Sequence, residues 1–276
     1  MKKARIGNPH IASPYVVWSV IFIVVPLAMV AYYSFTDEAG NFTLDNVAKI
    51  IEFNYLKIFG VSILYAFIAT VITLLISYPL AYFMTKTKIS TQGMLMLLVM
   101  LPMWMNLLIR TYSLSNILER NGIINTILDS IGLNKIQLIN TPGAVILGMV
   151  YNFIPYMILP IFSILSKLDH RLIEASHDLG ANGFTTLRRV IIPMSLPGVV
   201  SGITMVFVPS VSTFYISQKL GGIRNELIGD VIEQQFKLNS NYNLGAALSL
   251  VLMVMIIISL AIMNRFAADD DGGVIV

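Results

Sequence analysis

Six apolar stretches, each close to the length that crosses a hydrocarbon core, govern what this chain can become. They run at 14–35, 59–83, 93–110, 143–166, 197–219 and 244–264. A bilayer interior is about 30 Å thick and a helix rises about 1.5 Å per residue, so roughly 20 apolar residues cross it. In lipid an irregular segment leaves peptide groups without partners, whereas a helix satisfies its own. The pattern predicts an all-α polytopic membrane protein with six transmembrane helices. Composition agrees, since only 12% of the 276 residues are charged, about half the share in a soluble domain.

Lys2, Lys3 and Arg5 ahead of the first stretch mimic the basic start of a secretion signal. No small-x-small cleavage site follows, so that stretch is expected to stay as a span. Six spans place both termini on one side. The short 84–92 loop, with Lys86 and Lys88 and no acid, tips the charge bias toward cytoplasmic termini. The layout is then a cytoplasmic N-terminus at 1–13, a membrane domain at 14–265 and a cytoplasmic tail at 266–276. Segments 36–54 and 221–243 are polar and fall on the outer side. So does TYSLSNILER at 111–120, where Leu114, Ile117 and Leu118 share a helical face. Asn121-Gly122 breaks that helix, and 123–131 can form another amphipathic one. Arg110 counts among the outer charges.

The segment 167–197 between the fourth and fifth spans is not bilayer-like. Asp169 is placed to cap a helix starting at His170, on which Leu172, Ala175, Ser176 and Leu179 share a face. Gly180 suits a left-handed stop. Asn182 can cap a second helix with Phe184, Leu187 and Ile191 on its buried side. Pro193 closes that helix, and Pro197 sits where the fifth span begins. Helix, glycine corner, helix and proline exit describe a built structure rather than slack linker.

Glu174, Ala175, Gly180 and Pro193 fall at the spacing of the EAA motif, with Ser176, Val190 and Ile192 replacing Ala, Ile and Leu. The segment therefore resembles the coupling loop of the permeases of binding-protein-dependent ABC importers. The resemblance implies the type I importer permease fold, with Glu174, Ala175, Ser176, Asp178, Gly180 and Pro193 contacting an ATPase subunit. LPMWMNLLIRTYSL (101–114), the 141–169 stretch, VPSVSTFYISQKLGG (208–222) and the following NELIGDVI extend the likeness to the spermidine/putrescine permease subfamily, B-type rather than C-type. It covers nearly the whole chain from 14 to 265 and stops before the acidic AADDDGGVIV end.

That resemblance implies partners: a second permease of C type, two ATPase subunits and an extracytoplasmic polyamine-binding protein, all at a bacterial inner membrane. ATP and Mg would sit on the ATPase subunits, with no cofactor on this chain. Other small solutes as cargo, or an ATP-independent channel or carrier, are the alternatives. A carrier usually shows intramembrane ionisable groups and an internal repeat, and neither is seen.

Candidates for the substrate pathway are polar and aromatic groups within the spans: Trp104, Asn106, Tyr151, Asn152, Tyr156, Thr213 and Tyr215. Aromatic faces hold protonated amines, and amide or hydroxyl oxygens accept their hydrogen bonds. Ser210, Thr213 and Ser217 form a stripe that serves equally well as glue between helices. No Gly-Lys-Ser or Gly-Lys-Thr occurs, so the chain lacks a P-loop. It has no cysteine, and His10, His170 and His177 are not at metal-ligand spacing, so neither metal binding nor enzyme activity is expected. The basic residues are scattered, which gives nucleic-acid binding no support.

Overall fold

A proline inside a helix removes one N–H and crowds the carbonyl four residues back. The computed structural model, which describes residues 13–271, handles this twice in the same way. Val25, just ahead of Pro26, donates its N–H to the carbonyl of Val20. Ile192, just ahead of Pro193, donates to that of Leu187. Both are i to i−5 bonds closing a π-turn, whose extra residue lets the chain pass the ring. Pro79, Pro155, Pro160, Pro197 and Pro209 lie inside helices that continue past them.

The helices are α1 (Pro14–Ser34), α2 (Asp45–Ile50), α3 (Phe53–Thr85), α4 (Ile89–Met100) and α5 (Leu107–Leu118). They continue with α6 (Ile123–Ser130), α7 (Pro142–Leu165), α8 (His170–Asp178) and α9 (Gly183–Ser212). The last three are α10 (Tyr215–Leu220), α11 (Ile228–Lys237) and α12 (Tyr242–Asp271). Among the described residues the sole extended pairing is a single bridge between Thr36 and Phe42.

Two compact units divide the chain. The first takes residues up to Leu56 together with 231–254. Its hub is the carbonyl of Thr36, which accepts from the side-chain amides of Asn243 at 2.6 Å and Asn46 at 2.8 Å. Helix α1 buries only Ser34, at its end. A helix left bare along its length meets lipid or another chain.

The second unit takes 57–230 with the rest of the last helix. Its centre is α7, which buries Val145, Met149, Met157, Ile158 and Ile161. Helix α9 lies closest to it. A Cβ on Gly198 would come within 2.8 Å of the Pro160 carbonyl oxygen, and one on Gly202 within 2.6 Å of Met157 Sδ. Gly198 and Gly202 form a small-x-x-x-small pair, which lets two backbones approach where lipid supplies no hydrophobic drive. The Tyr78 hydroxyl meets Ser195 Oγ at 2.8 Å and ties α3 to the same helix.

Several expectations are corrected. The third span is not a straight helix over 93–110: Ile89–Trp104 and Leu107–Ser130 meet at 91°. Met105 and Asn106 are extended, and Asn106 caps α5 by accepting from Leu108 N at 2.7 Å. The fifth span starts earlier and ends at Ser212, because Thr213 is extended. Pro193 does not close a helix; the π-turn at Leu187–Ile191 carries α9 through it. The polar segments 36–54 and 221–243, for which the sequence pattern predicts no element, hold α2 and α11. The last helix runs on to Asp271, into the expected tail. Residues 1–12 and 272–276 of the expected terminal segments lie outside the described residues.

Candidate functional site

The 167–197 segment is assembled from local signals. Asp169 Oδ1 accepts from Arg171 N at 2.9 Å and starts α8. At its end Gly180 adopts φ +79°, a left-handed conformation that glycine enters at little cost. Gly180 N donates to His177 O, and Ala181 N to Ser176 O, a paired stop that satisfies the last carbonyls. His177 Nδ1 and Ala181 O, 3.0 Å apart, close the same corner. Asn182 Oδ1 then accepts from Thr185 N at 2.8 Å and opens α9. The two arms are joined by the hydroxyls of Ser176 and Thr186, 2.8 Å apart, with Thr186 buried. Ser176 is one of the departures from the usual EAA pattern, and this bond is the use it is put to.

The segment is seated on the end of the bundle. Ile173 and Ile191 line a cleft of about 180 Å³ with Tyr82, Lys86, Gln92 and Leu165. Lys86 lies over the ring of Tyr82, 5.0 Å from its centroid. Gln92 Nε2 donates to the carbonyls of Thr85 and Thr87 and holds the 84–92 loop in place. Glu174, Ala175 and Asp178 face outward, free of the bundle.

The face Leu172, Ala175 and Leu179 is also turned outward, with Leu179 89% exposed. Phe184, expected on the buried side with Ile191, is 72% exposed instead. The π-turn between them explains this: an added residue rotates one end of a helix by about 100° against the other. The result is that Leu172, Leu179 and Phe184 are exposed in the same segment as Glu174. Phe184 is the exposed candidate that the sequence pattern misplaces, and Leu179 is one that it places on a helical face without a role. The sequence signal for Phe184 is Pro193, whose missing N–H is accommodated here by the π-turn.

The expected pathway residues differ in exposure and in bonding. Trp104 sits exposed in the 3₁₀ turn Leu101–Trp104, and Asn106 is spent as a helix cap. Tyr151 is exposed, whereas its neighbour Asn152 is fully buried, donating to Gly148 O at 2.9 Å and Thr111 Oγ1 at 3.3 Å. Tyr156 is half-buried and stands edge-on to Phe153. In the serine and threonine stripe, Ser210 Oγ bonds to Val206 O and Ser217 Oγ to Phe214 O. Thr213 lies against the backbone of Gly229, and Tyr215 is half-buried. Arg110, placed among the outer charges by sequence, is only 4% exposed, and its Nε and Nη1 have no hydrogen-bond partner.

A helical bundle with a capped helix pair between two of its spans fits the class that comparison with known proteins gives, an ABC importer permease. By its residues 77–269 the chain belongs to the family of binding-protein-dependent transport system inner membrane components. It is similar to the spermidine/putrescine transport system permease protein PotB of Haemophilus influenzae, 38% identical over 256 residues, which is 90% of each chain. In fold it is similar to a bacterial ABC transporter involved in import of the acidic polysaccharide alginate, with a TM-score of 0.80 at 13% identity over 93% of each chain. The same holds for a bacterial alginate ABC transporter in complex with an alginate pentasaccharide-bound periplasmic protein. There the TM-score is 0.75 at 12% identity, covering 94% of this chain and 92% of that one.

Proposed function

We propose that this permease imports polyamines, spermidine or putrescine, as one subunit of an ATP-driven complex. The carrying observation for the cargo is its likeness to PotB along nearly the full length of both chains. The partners would be a second permease, two ATPase subunits that bind ATP and Mg, and an extracytoplasmic binding protein. A fold shared with an alginate transporter solved with its periplasmic protein supports the binding-protein partner. The termini and the 167–197 segment would then be cytoplasmic.

The mechanism is alternating access. Leu179 and Phe184 would seat in a groove of the ATPase subunit, while the carboxylate of Glu174 fixes the orientation at its edge. Apolar anchors ringed by polar groups are the usual source of binding energy at an interface. Closure of the two ATPases would move α8 and α9 together, because the Ser176–Thr186 bond and the Gly180 corner make them one piece. Specificity would reside in the binding protein, with Trp104, Tyr151, Tyr156 and Tyr215 offering weak cation contacts along the way. Asn106, Asn152 and Thr213 would shape the pathway by holding helices in place.

The test is ATP-dependent uptake of labelled spermidine and putrescine into proteoliposomes holding the full complex, with Glu174→Ala beside the parent. Uptake lost in the variant with the complex still assembled supports both cargo and coupling. No polyamine uptake, but ATP hydrolysis stimulated by a differently loaded binding protein, discards the cargo and keeps the class. Flux without any ATPase overturns the coupling role.

A further inference from the structure

Between Leu118 and Pro142 the chain builds a small amphiphilic platform. The buried amide of Asn125 fixes it: Nδ2 donates to Glu119 O at 3.1 Å and Ile136 O at 2.9 Å, and Oδ1 accepts from Ile136 N at 2.9 Å. Helix α6 and the loop after it are therefore one unit. Asn140, held at φ 62°, donates its N–H to Leu220 O at 2.8 Å and anchors the end of the loop. On the outward side of α6 stand Ile123, Ile127 and Ile131, spaced i, i+4, i+8 and 62%, 56% and 64% exposed. Leu133 and Ile136 in the loop after it are exposed as well.

The loop after α6 forms, with Arg120, a cavity of about 460 Å³ lined by Lys135, Ile136, Gln137, Ile139 and Asn140, and the half-exposed Ile136 and Ile139 supply its apolar part. Two cations face it and no carboxylate lines it. Arg120 makes no ion pair among the described residues. Lys135 has only long contacts, 3.9 Å to Asp129 and 3.4 Å to Asn121 Oδ1. With Glu119 and Asp129 against Arg120 and Lys135, the charges of 119–141 cancel. Bulk attraction to a charged surface is therefore not the basis of any selectivity; the paired cations at the cavity are.

A soluble anion would use the cations and leave the isoleucines bare. An apolar partner would cover the isoleucines and strand the cations. An amphiphile with an anionic head and alkyl chains uses both. We propose that this platform binds an anionic phospholipid, its phosphate between Arg120 and Lys135 and its acyl chains along Ile123, Ile127 and Ile131. Position supports the choice. The loop ends at Pro142, the first residue of the apolar helix α7, so the cations stand at the end of a span, where headgroups lie. The leaflet is the one opposite the 167–197 segment, since α7 separates the two. The proposal needs α7 to cross the membrane and is independent of the cargo.

The complete transporter would be placed in nanodiscs of phosphatidylcholine with phosphatidylglycerol as a minor component, and its retained lipid measured by native mass spectrometry. The parent is expected to retain phosphatidylglycerol in preference to phosphatidylcholine. Arg120→Gln with Lys135→Gln should weaken that retention about thirtyfold, from about 1 kcal/mol for each cation near a headgroup. Ile127→Asn should lower retention of both lipids and leave the headgroup preference intact. Equal phosphatidylglycerol retention by the parent and the double variant overturns the proposal. Unchanged lipid with weakened binding of the loaded binding protein also overturns it, and gives the surface to that protein. Loss of polyamine uptake with lipid preference intact would count against the cargo alone.

Discussion

The hydroxyls of Ser176 and Thr186 lie 2.8 Å apart and lock the two arms of the 167–197 segment across the Gly180 corner. Ser176→Ala leaves the buried Thr186 hydroxyl without that partner, at an expected cost of about 1–2 kcal/mol. Adding Thr186→Val should recover most of it. Hydrogen exchange of 170–190 in the two variants reads this directly. Equal protection in the parent and Ser176→Ala would show that the clamp does not bind the arms.

The exposed side chains of this segment should behave as anchors. Leu179→Ala with Phe184→Ala is expected to weaken the ATPase subunit about thirtyfold or more, from about 2 kcal/mol at an interface hot spot. Thermal stability of the permease itself should move by less than about 0.5 kcal/mol, as for surface changes generally. Affinity on an immobilised ATPase subunit beside a melting curve separates the two effects.

Close approach of α7 and α9 predicts a steep dependence on size. Gly202→Leu should destabilise the bundle by about 1–3 kcal/mol through overpacking against Met157. Gly60→Leu is the control, because a Cβ there meets nothing within 4 Å. Thermal unfolding in detergent compares them, and similar losses at both positions would contradict the packing.

In the first unit, Asn41 N donates to Asp37 Oδ1 at 2.8 Å, and its side-chain amide to Oδ2 at 3.3 Å. These bonds, the backbone one foremost, hold the exposed carboxyl below its ordinary value of 3.8. A depressed carboxylate contributes order that is present above the ordinary value and lost as pH falls through the lowered one. The Asn41 amide shift should therefore titrate with a midpoint below 3.8, and Asp37→Asn should abolish that titration.

Arg110 yields an opposite expectation to most buried residues. Two of its nitrogens are buried without partners, and desolvating such a charge opposes folding. Arg110→Met should leave stability unchanged or raise it by about 1 kcal/mol. A large loss of melting temperature would mean that the guanidinium holds the bundle together.

Local chemistry makes much of this legible. Six apolar blocks give the spans, and the Asp169 and Asn182 caps with the Gly180 stop depend on neighbours a few residues away. The features hidden from sequence depend on distance or phase. Asn243 finds Thr36 across 207 positions, and no pattern announces it. The 91° break after Trp104 looks in sequence like one apolar run, and only Asn106 hints at a helix start. A period of 3.6 misplaces Phe184 because it cannot see a π-turn. The pathway candidates rest on residue type, and type does not say that Asn106 and Ser210 are already occupied by backbone groups.

The continuity of α9 has a mechanical side. It runs unbroken from Gly183, beside the corner, to Ser212, a rod of about 45 Å at 1.5 Å per residue. If the 167–197 segment is pushed by an ATPase as proposed, a helix of this length would carry the push from one face of the membrane toward the other. Regular α-helical bonding is already interrupted at the π-turn Leu187–Ile191 and at Pro197 and Pro209, and helical bonding stops at Thr213 and Phe214. A short joint at the end of a long strut converts thrust into rotation of the next element, here α10 with the turn at Gly221 and Gly222.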